Sequence, residues 1–169
     1  MTIDVSAILK EIGGRIDIDG DVMLSDTDFL GEMYHFSNPL NVKGCISNNG
    51  KSLILKAKCD GSMITQCARC MKDIEVPVSF NMDENLVQDN GETFEDDDVI
   101  LFHDTEIDID DIAANNFLMN VEGKYLCSED CKGLCVQCGA DLNEGDCGCG
   151  HDAIDPRWAS LIDIMNKDN

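Results

Sequence analysis

The chain has 169 residues, a formal net charge of -22, 43% apolar residues and only 5% aromatic ones. That suits one domain, or one domain with a small appendage, whose core is built mainly from aliphatic and sulfur side chains. No stretch approaches the ~18 consecutive apolar residues of a membrane span, and the start MTIDVSAILKEIGG has no basic segment followed by an apolar run, so a cytoplasmic protein without a secretory signal is expected. A surface this acidic repels phosphate, which argues against direct binding to naked nucleic acid and suits a basic protein partner.

Residues 2–12 have the spacing of a short amphipathic helix. Val5, Ile8, Leu9 and Ile12 fall on one face, and Gly13-Gly14 ends it. Ile16 and Ile18 alternate with Asp17 and Asp19, as in a half-buried strand. Residues 40–82 read as an antiparallel meander. Val42–Ile46 leads to a tight turn at Asn48-Asn49-Gly50. Leu53, Leu55, Ala57 and Cys59 then alternate with polar residues, and Asp60-Gly61 predicts a second tight turn. Met63–Gln66 is the return strand, and Cys67-Ala-Arg-Cys70 sits at the next turn. Ile74, Val76, Val78 and Phe80 mark the last strand; Pro77 lacks a ladder N–H and places it at an edge or bulge. Cys45 and Cys59 fall on these strand patterns and read as core.

Residues 81–111 carry thirteen acids and no lysine or arginine. The part over 83–98 has few large apolar side chains and is expected to be a mobile acidic loop. Val99–Phe102 is one more short strand. Residues 108–120 form the second predicted helix, with Asp108, Asp110 and Asp111 at its positive end and Ile109, Ile112, Ala113 and Phe117 along one side. Asp155-Pro156 opens a terminal helix whose apolar face holds Trp158, Leu161, Ile162 and Met165. The expected fold is α+β: an antiparallel β meander with flanking helices, residues 1–122, and a C-terminal cysteine-rich metal-binding module over 123–169 whose terminal helix packs back on the domain.

Six cysteines fall within 127–149: Cys127, Cys131, Cys135, Cys138, Cys147 and Cys149. In a reducing compartment such a cluster indicates metal ligation rather than disulfides. Cys135 and Cys138, followed by Gly139, let one tight turn aim two sulfurs at one ion. Zn²⁺ suits such a site, since structural zinc takes four N or S ligands in a tetrahedron; iron–sulfur ligation is the nearest competitor. Six ligands exceed one site. Cys127, Cys131, Cys135 and Cys138 form one complete set. Cys135, Cys138, Cys147 and Cys149 form another, with His151 a weaker substitute. With Cys67 and Cys70 added there are eight, enough for two four-cysteine sites that would pin the module to the sheet.

The segments from Leu126 to Asn143, Cys147-Gly-Cys149 and Ile154-Asp-Pro-Arg-Trp-Ala-Ser-Leu161 resemble the YceD family, the large ribosomal RNA subunit accumulation proteins. Cys67-Ala-Arg-Cys70-Met-Lys-Asp-Ile is similar to that family's other recognisable turn, while Asn120-Val121 stands where relatives usually have Leu-Pro. The resemblance implies a non-catalytic bacterial factor for accumulation of large-subunit ribosomal RNA. Its members are commonly encoded beside a small basic ribosomal protein. The charge is compatible with that implication, and a basic ribosomal protein or a large-subunit precursor particle is the expected partner.

Two other function classes compete. One is an enzyme, a thiol oxidoreductase or an RNA-processing nuclease. A nuclease needs carboxylates around Mg²⁺, but Asp108, Asp110 and Asp111 are accounted for by the helix dipole. His35, His103 and His151 form no nucleophile–base arrangement. The other is a structural zinc-ribbon adaptor for an unrelated basic protein.

Overall fold

The computed structural model describes residues 1–89 and 99–149. The chain forms two compact units, one of Met1–Ala68 with Lys72–Cys127, the other of Arg69–Met71 with the chain from Ser128 onward. The first unit is mostly strand. Its main sheet runs in the order β2 (Arg15–Val22), β5 (Leu40–Asn48), β6 (Leu53–Gln66), β7 (Asp73–Gln88), β8 (Val99–Phe102). The first four strands pair antiparallel in chain order, and β8 returns parallel to β7, Asn85 opposite Val99. The meander is therefore antiparallel as expected, but it closes on a parallel edge.

Period-two alternation builds this sheet. Val42 and Ile46 of β5, Leu55 and Cys59 of β6, and Phe80, Met82 and Leu86 of β7 are buried on one face. The other face carries charge, with Lys56 paired to Asp83 at 3.1 Å and Lys58 to Asp60 at 2.6 Å. Helix α2 (Ile109–Asn120) begins at Asp108, whose carboxylate accepts the Asp110 N–H. Its buried residues, Ile109, Ile112, Ala113 and Phe117, are those the spacing picks out. Phe117 meets Tyr34, Phe36 and Phe80 at ring-centroid distances of 5.6, 5.0 and 6.4 Å, the first two edge-on. This arrangement suits the aromatic quadrupole and concentrates the few rings at one place. No helix among the described residues is long and apolar enough to cross a membrane.

Four expectations need correction. The segment 2–12 is not one helix. Thr2–Asp4 is strand β1, paired with β9 (Glu106–Asp108), and only Ser6–Leu9 is helical, α1. The ladder to β9 takes Ile3 opposite Ile107, so Val5 and Ile8 are buried while Ile12 is 78% exposed. Asp60-Gly61 is not a turn, because β6 runs unbroken through it. Gly61 lies close against Leu40: a Cβ there would stand 2.3 Å from Leu40 Cδ2 and 3.3 Å from its Cα, so the buried Leu40 side chain would have to shift.

Residues 83–88, assigned to the acidic loop, continue β7, since Leu86 is buried opposite Leu53 and Asp83 lies opposite Lys56; residues 90–98 lie outside the described ones. Cys45 is only half-buried: it shares the charged face of β5 with Lys43, opposite that of Val42 and Ile46. Pro77 lies in the part of β7 that pairs with β6 alone among the described strands, as an edge proline should;. The hairpin of β3 (Thr27–Phe29) and β4 (Glu32–Tyr34) gave no sequence signal, because its turn places Leu30 at φ +56, next to Gly31 at +83. A leucine rarely adopts that conformation. The terminal helix over 155–165 lies outside the described residues.

Gly44 offers a test of the sheet. A Cβ there would stand 2.2 Å from the Lys56 carbonyl oxygen and 2.4 Å from Ala57 Cα, whereas at Gly123 it would meet nothing within 4 Å. Gly44→Ala should lower stability by at least about 1–3 kcal/mol, as overpacking does. Gly123→Ala should change it by less than ~0.5 kcal/mol. Urea unfolding of both variants checks this; equal midpoints would contradict the packing.

Candidate metal centres

The turn between β6 and β7 and the segment Cys135–Ala140 share one backbone design. Cys67 N–H donates to Lys72 O at 2.8 Å, and Cys135 N–H donates to Ala140 O at 2.8 Å. In each, the residue after the second cysteine is left-handed: Met71 at φ +60 and Gly139 at +76. This curl turns a C-x-x-C segment back on itself so that both sulfurs face one point. Gly139 takes that conformation at no steric cost; Met71 does so against it. Gly139 N–H also donates to Cys135 O at 2.8 Å, and Gln137 N–H to Cys135 Sγ at 3.4 Å.

The sulfurs converge in two groups of four. Cys67, Cys70, Cys127 and Cys131 form one, and Cys135, Cys138, Cys147 and Cys149 the other; within each, all Sγ atoms lie within 4.8 Å of one another. All six cysteines expected as ligands are therefore in a group, and Cys67 and Cys70 complete the first. The set Cys127, Cys131, Cys135 and Cys138 is not brought together. Its first two members join the β6–β7 turn instead, because Ala68 N–H donates to Tyr125 O at 2.9 Å, which lays the chain before Cys127 beside that turn. His151 lies outside the described residues.

Either group can hold a metal ion. A zinc tetrahedron with Zn–S of ~2.3 Å has S···S edges of about 3.8 Å, which falls inside the 4.8 Å within which the sulfurs of each group lie. The donors around the sulfurs fit thiolates. Cys127 N–H donates to Cys67 Sγ at 3.4 Å, and Asn143 Nδ2 to Cys131 Sγ at 3.5 Å. Backbone N–H groups of Cys138 and then Gln137 hold the Cys135 thiol down to about 6, so it ionises readily, whereas Cys149, facing the Cys138 and Cys147 thiols, is pushed up to about 12. Such a split is what crowded thiols show when they share protons. In the first group Cys67, Cys70 and Cys131 are buried and Cys127 exposed; in the second Cys135 is buried, Cys138 exposed and the other two half-buried.

Two supporting residues were not singled out from the sequence. Arg69 stands between Cys67 and Cys70, and its Nη1 donates to Cys131 O at 2.8 Å and Glu129 O at 3.2 Å. Asn143 bonds Cys131 Sγ and also accepts the Lys132 N–H at 2.8 Å. The one available signal was position: Arg69 is enclosed by a C-x-x-C, where any side chain is next to both ligands.

Cys59 belongs to neither group. It is buried, its thiol lies 4.0 Å from Met82 Sδ, and burial pushes its pKa up to about 11 from 9.0. The unfolded thiol ionises first, so this contribution to stability is complete below pH 9.0 and is lost as pH rises toward about 11;. Wild-type stability should therefore fall more steeply over that range than that of Cys59→Ala. Parallel slopes in denaturant titrations would contradict a buried neutral thiol.

A family model described as "Large ribosomal RNA subunit accumulation protein YceD" matches residues 55–165, a range that includes all eight grouped cysteines. An uncharacterized protein of Mycobacterium tuberculosis is 30% identical over 109 residues, 63% of this chain and 52% of its own length. An uncharacterized protein of Mycobacterium leprae is 25% identical over 133 residues, 77% of this chain and 61% of its own. A protein of Arabidopsis thaliana named "Large ribosomal RNA subunit accumulation protein YCED homolog 1, chloroplastic" is 31% identical over 62 residues, 37% of this chain and 19% of its own. The matched part of this chain thus spans about half the length of the Mycobacterium tuberculosis relative. No solved structure matches the chain.

Proposed function

The chain belongs to the YceD family of large ribosomal RNA subunit accumulation proteins, and on that footing we propose that it is a non-catalytic bacterial factor that supports accumulation of large-subunit ribosomal RNA. The observation that carries this reading is the family match over residues 55–165, which encloses both four-cysteine groups. In this reading each group holds one Zn²⁺. The metal supplies folding free energy to a glycine- and acid-rich segment, on the order of 10 kcal/mol in small zinc modules. No reaction step is assigned to it.

The partner we propose is a basic large-subunit ribosomal protein or an early precursor particle, met in the cytoplasm. Charge supports this choice. A chain of net charge -22, with thirteen acids and no lysine or arginine over residues 81–111, cannot gain from releasing counterions on bare RNA. It attracts a basic surface, and that attraction weakens with salt over a Debye length of ~8 Å near physiological ionic strength.

Deleting the gene in its own host and quantifying large- against small-subunit ribosomal RNA tests the reading. The large-subunit share should fall and return when the chain is resupplied; an unchanged ratio contradicts the function. Association rates with ribosomal-protein fractions should drop as salt rises, while protein-free ribosomal RNA should bind negligibly. Tight binding to the bare RNA would overturn the proposed partner.

A further inference from the structure

We propose that Arg69 is the positioning residue of the first metal centre: its guanidinium holds the loop that carries Cys131 in place, so that centre retains its metal far longer than the second. The inference rests on the zinc reading above. Its grounds are contacts on both sides of the Arg69 backbone and side chain. Nη1 donates to the carbonyls of Cys131 and Glu129 at 2.8 and 3.2 Å. The Arg69 carbonyl accepts the Leu134 N–H at 3.1 Å. Between those two attachments lies Gly133, at φ +74, where a Cβ would stand 3.0 Å from Arg69 O and 3.3 Å from Arg69 Cβ. The loop 129–134 is therefore clasped at both ends by one residue, and the glycine between them lets the backbones approach.

The choice of arginine has a physical reason. One Nη carries two N–H groups and can serve two carbonyls at once, and charge assistance makes each bond stronger than a neutral one. The charge has a second use. Four thiolates and one Zn²⁺ sum to two negative charges, in a chain that is already strongly acidic. A fixed cation one residue from Cys70 and bonded to the carbonyl of Cys131 offsets that charge at the site. Three of the four cysteines of the first centre are buried, whereas three of the four of the second are half-buried or exposed.

The test is zinc release from the full zinc-loaded chain challenged with EDTA, with the freed metal read by 4-(2-pyridylazo)resorcinol absorbance. Wild type should release two zinc ions per chain in a fast and a slow phase. Arg69→Ala should quicken the slow phase by about tenfold or more, as loss of a residue supporting a ligand does, and leave the fast phase unchanged. Arg69→Lys keeps a cationic donor and should fall between them. In the Co²⁺-loaded chain the thiolate-to-metal bands of one site only should shift. If Arg69→Ala does not fold, Arg69→Lys and Gly133→Ala carry the test, since the added methyl displaces the Arg69 carbonyl. Wild-type slow-phase rates in variants that fold would overturn the assignment while the zinc reading stands. A chain that holds no zinc at all would overturn the zinc reading itself.

Discussion

Fourteen consecutive residue pairs join β6 to β7, from Leu53 opposite Leu86 to Gln66 opposite Asp73, and much of the first unit depends on that ladder. It fixes the parity of both strands, so Leu55 and Cys59 face the same side as Phe80 and Met82. It creates the apolar surface on which Phe117 of α2 packs. It also sets where the chain turns, and the turn is Cys67-Ala-Arg-Cys70. A one-residue slip would send every core side chain to the charged face and would move both sulfurs away from Cys127. Register and ligand geometry are thus one constraint, and the cross-strand pair Lys56–Asp83 supports the same alignment from the solvent side.

The sulfur groups answer a different problem. From Ser128 to Cys149 the buried residues are Cys131, Gly133 and Cys135 alone, so this segment has almost no hydrophobic core. What order it has comes from turns, from side-chain caps such as Asp141 to Asn143 N–H at 2.8 Å, and from convergence of cysteines. A metal replaces a core in such segments because four short bonds fix four chain positions at once. The two centres differ in how they form. Cys135, Cys138, Cys147 and Cys149 lie within one short stretch, whereas the first centre draws on positions 60 residues apart, as between Cys67 and Cys127. The first group therefore needs the hairpin to bring its sulfurs together.

The sheet and α2 were legible because their patterns are carried by many residues. Three strands of the meander show period-two alternation, and Asp108 with Ile109, Ile112, Ala113 and Phe117 marks both the cap and the buried side of α2. What the sequence did not reveal was decided by single contacts with distant residues. Gly61 looks like a turn residue until Leu40 is seen against it. Thr2–Asp4 reads as helix until β9 offers a ladder. The alternation that would have extended β7 to Gln88 is broken by Glu84, an acid on the same side of the strand as Met82 and Leu86 that accepts a hydrogen bond from Asn116 Nδ2 of α2. For the cysteines, spacing marked all six tail residues that the structure places in the two sulfur groups, and eight sulfurs allowed two sites. It could not choose the partition, which depends on Tyr125 lying beside Ala68, a contact across 57 positions of chain.

In the proposed reading eight cysteines divide into two metal centres, one completed by the β6–β7 turn. Native mass spectrometry of the zinc-loaded chain beside Cys70→Ser and Cys147→Ser tests it most directly. Two zinc ions are expected in the wild type and one in each variant, with two thiols of the 127–131 segment newly open to alkylation in Cys70→Ser and none in Cys147→Ser. Two zinc ions retained in Cys70→Ser, or exposure of Cys135 and Cys138 by that substitution, would contradict it.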